Sequence, residues 1–228
     1  MTLSIIVPVL NEAAGIVASL TALQPCRARG VEVIVADGGS GDQTIALARP
    51  LCDRLVMSPR GRALQMNAGA DAASGGVLLF LHADTLLPGN ADRLVLDGLR
   101  QMGRVWGRFD VQFDDGALPL VSNAMNMRSR LTGIATGDQA MFVTRNAFEK
   151  AGRFPPIALM EDIALSAKLK RIGAPLCLTA RVTTSGKRWR DNGAVRTVLL
   201  MWSLRLRYYF GTDPDRLARA YGYATDKA

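Results

Sequence analysis

Four short apolar runs, LSIIVPV (3–9), VEVIVA (31–36), RLVMS (54–58) and GVLLFLH (76–82), alternate with stretches whose apolar residues recur every three or four positions. The runs are rich in Val, Ile and Leu and bounded by Gly, Pro, Asp and Asn. Their continuous hydrophobicity leaves no wet face, as in strands of a parallel sheet covered on both sides. Residues 12–23, 42–50, 61–73 and 90–102 supply the intervening helices, with Asn11 and Asp42 as helix starts. The order βαβαβαβ predicts an α/β fold: right-handed crossovers place helices on both faces of a mostly parallel central sheet.

The second half is mixed. WGRFDVQFDDG (106–116) alternates as a strand does, LPLVSNAMNMRSRL (118–131) has a helical pattern, and QAMFVT (139–144) reads as another strand. Helices are expected over 145–151, 161–172 and about 192–210. With 228 residues, 49% of them hydrophobic, and neither a repeat nor a low-complexity linker, the chain reads as one domain, residues 1–228, with divisions of labour near 100 and 190.

The net charge of +8 is unevenly spread: residues 181–228 hold ten Lys or Arg against four Asp or Glu, while the rest is nearly balanced. The body lacks the aromatic platforms and basic stripe of a nucleic-acid binder, so no nucleic-acid partner is expected. Three widely separated cysteines, Cys26, Cys52 and Cys177, lack zinc-site spacing and read as free thiols. The first ten residues read as strand and not as a secretory leader, which points to the cytoplasm. VLLMWSL (198–204) is far short of the roughly 20 apolar residues of a membrane span. Val195, Leu199, Trp202, Leu206 and Tyr209 form an amphipathic stripe that packs on the sheet, joins subunits of a homo-oligomer, or lies on an anionic membrane as a peripheral contact.

Ligands of open parallel sheets bind outside the carboxyl ends of the strands. Here the first run leads to Asn11-Glu12, the second into ADGGSGD (36–42), the fourth into HADT (82–85). No G-x-G-x-x-G follows the first run and no G-x-x-x-x-G-K-[ST] occurs, so both common phosphate cradles are excluded. Asp37 either takes hydrogen bonds from a ribose or base, with Gly38 leaving room for a flat ring, or begins a turn. Asp84 either holds a hard divalent cation bridging phosphate oxygens or caps the next helix. Glu161-Asp162 starts a helix, where the dipole favours carboxylates whether or not they do chemistry.

The segments SIIVPVLNE, VIVADGGSGDQT, GRALQMNAGADAASGGVLLFLHADT, GDQAMFVTRNAFEKAGRFP and MEDIALSAKLKRIG, in this order over roughly residues 3–175, resemble the family-2 glycosyltransferases of GT-A fold. The C-terminal part is similar to small stand-alone bacterial members. The resemblance implies inverting transfer from a nucleoside-diphosphate sugar, UDP-linked by default, to a hydroxyl acceptor (a glycan, lipid or small molecule). Residues 1–100 would be the nucleotide-binding half, 101–190 the acceptor and catalytic half, and 191–228 a basic helical extension.

Residue by residue, Pro8, Val9 and Glu12 match the segment framing base and ribose, and Asp37 the base-binding aspartate. His82-Ala83-Asp84 matches the family's Asp-x-Asp element, with Asp84 on Mn2+ or Mg2+ and His82 departing from the pattern by bringing no fixed negative charge. Arg62 and Arg188 are placed to meet the diphosphate. Asp162 matches the general base, with Glu161 supporting it or meeting acceptor hydroxyls. Gly137, Asp138 and Gln139 resemble the loop beneath donor sugar and acceptor. Trp189 stacks on a sugar, closes over the donor, or packs in a core or interface. A non-catalytic nucleotide-sugar binding module would have no need of the acidic pair at 161 and 162; a nucleic-acid-binding protein would use the basic tail.

Overall fold

The computed structural model describes residues 1–114 and 118–223, the side chain of Arg188 excepted. Among them eight strands form one sheet: β1 (Leu3–Val9), β2 (Glu32–Asp37), β3 (Arg54–Met57), β4 (Val77–Phe80), β5 (Thr85–Leu86), β6 (Trp106–Phe113), β7 (Phe142–Thr144) and β8 (Leu176–Thr184). Their spatial order is β3-β2-β1-β4-β7-β6-β8-β5. β1 runs parallel to β2 and β4, β2 to β3, and β6 to β8; β7 lies antiparallel between β4 and β6, and β5 antiparallel to β8. The sheet is thus mostly parallel.

Side chains alternate between faces, and both faces are apolar. Leu3, Ile5, Val7 and Val9 join Val33, Val35, Val77 and Leu79 in one core, whereas Ile6, Ile34, Leu78 and Phe80 enter the other. The first core is covered by α1 (Ile16–Ala22), α2 (Gln24–Arg27), α3 (Thr44–Ala48) and, further along the chain, Val95 and Leu99. The second is covered by α4 (Arg62–Ala72), through Ala63, Met66 and Ala70. Gly69 allows that contact: a Cβ there would lie 2.4 Å from Ile6 Cγ2.

Val95 and Leu99 belong to α5 (Ala91–Met102), which ends at left-handed Gly103. Next come α6 (Pro119–Thr132), which packs along β6, then α7 (Arg145–Lys150) and α8 (Glu161–Ile172), which supply Phe148, Leu165 and Leu169 to the second core. A buried network fixes α6: Arg108 on β6 is fully buried, donates to Asp110, to Ser129 Oγ at 3.1 Å and to the Asn126 carbonyl at 3.1 Å, while Arg130 reaches Asp110 at 2.6 Å. After β8 the chain forms α9 (Lys187–Asn192), α10 (Ala194–Tyr209) and α11 (Pro214–Tyr221). Leu204 and Leu217 of the last two pack on Leu159 and Met160, so the extension docks beside the start of α8.

Three features differ from the sequence reading. The helix expected over 12–23 begins only at Ile16, after the turn at 13–15, and ends at Ala22 before α2 follows with Pro25 in its first turn. The fourth strand ends at Phe80, so His82, Ala83 and Asp84 leave the sheet before β5 pairs with β8. The sequence reading assigned no strand to 176–184, yet Leu176, Leu178, Ala180 and Val182 alternate there and pack on the first core.

Candidate active site

A cleft of about 1070 Å3 opens over the carboxyl ends of the parallel strands. The loop after β1 forms one wall and is tied to the loop after β2. Asn11 N donates to Ser40 Oγ at 2.9 Å, Glu12 N to Thr44 Oγ1 at 2.7 Å and Ala13 N to Asp42 at 3.1 Å. This aims Glu12 at the cleft beside Asp84, whose side chain is exposed there. Burial raises the Glu12 carboxyl above its usual range, and the negative charges of Asp84 and Asp42 add to the shift. Pro8 and Ala83 line the same wall.

His82 sits at the centre. Its Nδ1 is 3.4 Å from Asp138 Oδ1 and its Nε2 3.5 Å from Arg62 Nη1. The turn bearing Asp138 comes this close because residue 137 is glycine: a Cβ there would stand 2.3 Å from the ring. Burial opposes ionisation of Asp138, but His82, Arg62 and Arg205 outweigh it and hold the carboxyl below its ordinary value. Arg62, at the first turn of α4, is no ordinary surface arginine. It lies 3.3 Å from Glu161 Oε1 and donates to the Tyr223 hydroxyl; burial alone would lower its pKa, yet Glu161, Tyr223 and the aspartates raise it.

The acidic pair starts α8 immediately after Met160, a buried residue held in the left-handed region at φ 73°. Such strain persists only where the surroundings enforce it, and here the C-terminal helices pack against Leu159 and Met160. Asp162 accepts from Gly137 N at 2.8 Å and from Ile163 N at 2.7 Å. It borders a void of about 10 Å3 shared with His82, Gly137 and Glu161, one layer behind the open cleft.

Of the remaining sequence candidates, Asp37, Gly38, Val9 and Gln139 do not line the cleft. Asp37 is 0% exposed and spends both oxygens on its own turn, accepting from Gly39 N at 2.8 Å, Ser40 N at 2.9 Å and Ser40 Oγ at 2.5 Å. Gly38 is buried against Gln65, and the Val9 side chain lies in the core. Gln139 is buried and closes a capping box with Thr136. Trp189 lines the cleft and stacks at 5.4 Å on Phe113. The side chain of Arg188 lies outside the described residues.

Sequence reasoning missed several groups. Gln65 donates to the Val9 carbonyl at 2.6 Å and the Ala36 carbonyl at 3.0 Å, pinning two strand ends; its place in GRALQMNAG was the available signal. Tyr208 and Tyr223 lie by the acidic pair and Arg62 without any motif to mark them. On α6, Arg128 buries Nε and Nη2 without a hydrogen-bond partner among the described residues. Arg205 on α10 is half-buried, and both arginines lie within the field of Asp162. No group of three His, Cys, Asp or Glu suited to a metal occurs among the described residues; of the carboxylates lining the cleft, Asp84 and Glu12 stand close enough for Asp84 to raise the Glu12 carboxyl.

The mostly parallel sheet, with carboxylates and a histidine beyond its strand ends, has the arrangement of the GT-A fold. Residues 4–150 match the family model described as glycosyl transferase family 2. The chain belongs to that family. It is 38% identical over 91 residues to the PGL/p-HBAD biosynthesis glycosyltransferases of Mycobacterium bovis and Mycobacterium tuberculosis, a match spanning 37% of this chain and 36% of those relatives. Its fold is similar to S. aureus TarS (TM-score 0.67, 16% identity, covering 82% of this chain and 61% of that one). It also resembles the mannosyltransferase PcManGT of Pyrobaculum calidifontis in complex with GDP-Man and Mn2+ (TM-score 0.64, 20% identity, 97% and 69% covered). A third neighbour is Mycobacterium tuberculosis glucosyl-3-phosphoglycerate synthase with UDP, Mn2+ and glucosyl-3-phosphoglycerate (TM-score 0.60, 19% identity, 99% and 81% covered).

Proposed function

We propose that this protein transfers a glycosyl group, with inversion, from a nucleoside-diphosphate sugar to a hydroxyl acceptor. The observation that carries the reading is His82, which joins Arg62 on the donor side to Asp138 on the acceptor side, with Asp162 one layer behind on Gly137. Asp162 takes the acceptor hydroxyl's proton as that oxygen bonds to the anomeric carbon. The bond from that carbon to the diphosphate breaks on the opposite face, and the nucleoside diphosphate leaves. Arg62 meets the negative charge that develops on the leaving group; loss of one such interaction typically costs about 3 kcal/mol. Glu161 holds Arg62 in place from below.

Asp84, with Glu12 beside it, would hold Mn2+ or Mg2+, a cation content with one or two protein carboxylates when phosphate oxygens and water complete its shell. Bound there, it would draw charge off the departing diphosphate. Solved structures of similar fold contain UDP, UDP-GlcNAc or GDP-Man, which supports a nucleotide-sugar donor; UDP is our first choice. Asp37 organises the loop beside the base through its turn and does not bind it directly. Arg128 and Arg205 leave positive charge beside Asp162 that suits an acceptor bearing an anionic group.

The test is a thermal-shift panel of UDP, GDP, TDP and CDP sugars, each with Mn2+ or Mg2+. A ligand at a hundred times its Kd stabilises the folded state by about 2.7 kcal/mol. The largest rise in melting temperature is expected with a UDP-sugar and metal. If no nucleotide sugar moves the transition, the donor reading is wrong.

A further inference from the structure

α10 carries two apolar faces. The inner one places Leu204 in the cluster that holds Leu159 and Met160. On the outer one Val195, Leu199, Trp202, Leu206 and Tyr209 are all exposed, Trp202 by 68% and Tyr209 by 83%, and Phe210 continues the row. At 100° per residue these six fall within an arc of about 100°. At 1.5 Å per residue the row runs about 22 Å. Scattered exposed apolar residues are ordinary on a folded protein, but a continuous row of this length marks a surface that meets another phase or molecule.

The charges beside the row select the partner. Arg196 and Arg207, both exposed, lie along one flank, and Lys187 and Arg190 precede the helix. Residues 193–212 contain no acidic side chain, so a second copy of α10 would offer these arginines nothing to pair with. A row of Trp, Tyr, Phe and Leu beside arginines suits the boundary between anionic headgroups and acyl chains. The helix is not long and apolar enough to cross a bilayer. A second exposed row, Leu120, Met127 and Leu131, stands on α6, whose Arg128 is within electrostatic reach of Arg205 on α10.

We propose that the outer face of α10 docks this protein onto the surface of an anionic lipid bilayer, with the aromatic row at headgroup depth. Because the inner face packs on the turn leading into Glu161 and Asp162, docking holds the acidic pair about one helix diameter, ~10 Å, from the membrane surface. The inference does not depend on the glycosyl-transfer reading.

Flotation of the full chain with phosphatidylcholine vesicles, with and without phosphatidylglycerol, tests it. Binding to the anionic vesicles is expected to exceed binding to neutral ones at least tenfold, and Arg196→Gln and Arg207→Gln each to weaken it about fivefold. Leu199→Ser/Trp202→Ser should abolish flotation while leaving the thermal transition in place. Tryptophan quenching by lipids brominated near the headgroup provides a second readout on the unmutated protein, expected to vanish in Trp202→Phe. Failure of the unmutated chain to float on anionic vesicles overturns the proposal. So does a stable dimer in solution that Trp202→Ser converts to monomer, since the face would then be a self-interface.

Discussion

Glu161 Oε1 lies 3.3 Å from Arg62 Nε while the glutamate is only 2% exposed. Among the described residues this oxygen has no aligned hydrogen bond, so the contact is electrostatic and not a bidentate bridge. Burial pushes the Glu161 carboxyl up, Arg62 pulls it down without cancelling that push, and Asp162 adds to it. The cleft's central cation therefore rests on an acid that the fold keeps reluctant to ionise.

A pH dependence follows. A carboxyl whose folded pKa is raised contributes stability in full below its unfolded value, here 4.5, and loses it as pH rises through the folded pKa. Glu161→Gln stays neutral throughout, so its stability relative to the unmutated protein should improve steadily as pH rises above 4.5. Paired thermal melts from pH 4 to pH 8 (roughly the span over which carboxylates and His titrate) measure the difference. A constant gap would show that Glu161 ionises as freely in the fold as out of it.

Asp162→Asn keeps the hydrogen bond from Gly137 N, since an amide oxygen accepts as well as a carboxylate oxygen, but it cannot take a proton. Turnover should fall by about 10²–10⁴ with little change in affinity for UDP. Calorimetry with UDP beside an assay of donor consumption separates the two effects. A variant that turns over normally would move the base assignment away from Asp162, with Asp138 the next acid in reach of the cleft.

Asp37 gives a prediction that separates a turn-holding role from direct contact with the base. Because its oxygens hold the Gly39–Ser40 turn, Asp37→Ala should cost about 1–3 kcal/mol of stability from unpaired buried donors. Donor affinity should fall with it, as the tied loop also positions Glu12. Urea unfolding together with UDP titration checks both; weakened binding at unchanged stability would restore direct base contact.

The parallel half of the fold was legible because its strands are apolar on both faces and its helices keep their spacing. β8 was not, because Cys177, Thr179, Arg181 and Thr183 occupy every second position and leave no continuous apolar run of the kind that marks β1 and β4. At the site, Glu12, Arg62, His82, Asp84 and Asp138 could be read because strand ends and turns concentrate them in the sequence. Whether a carboxylate at such an end faces the cleft or its own turn depends on backbone N–H groups nearby: Asp37 accepts from Gly39 N, whereas Asp84 lines the cleft. Arg128 and Arg205 come from distant helices and Tyr223 from the chain just past α11; no local pattern could have placed them beside Asp162 and Arg62.

Arg128 supplies the last prediction. Its guanidinium is lowered to about 10 by burial and by the neighbouring charge of Arg205, with Asp162 only partly compensating. A base whose folded pKa is lowered costs the fold stability at every pH below that value, where it must carry its charge among groups that do not neutralise it. Arg128→Met fills the same space without the charge and should stabilise the ligand-free protein by about 1–3 kcal/mol. For a chain of this length that is a rise of roughly 2–10 °C in Tm. An arginine retained at such a cost is explained by use, so the same variant should lose most of its donor consumption in the presence of an anionic acceptor and little in its absence. A lower Tm in Arg128→Met would show that the arginine is a structural element, and unchanged consumption with every acceptor would remove it from the acceptor site.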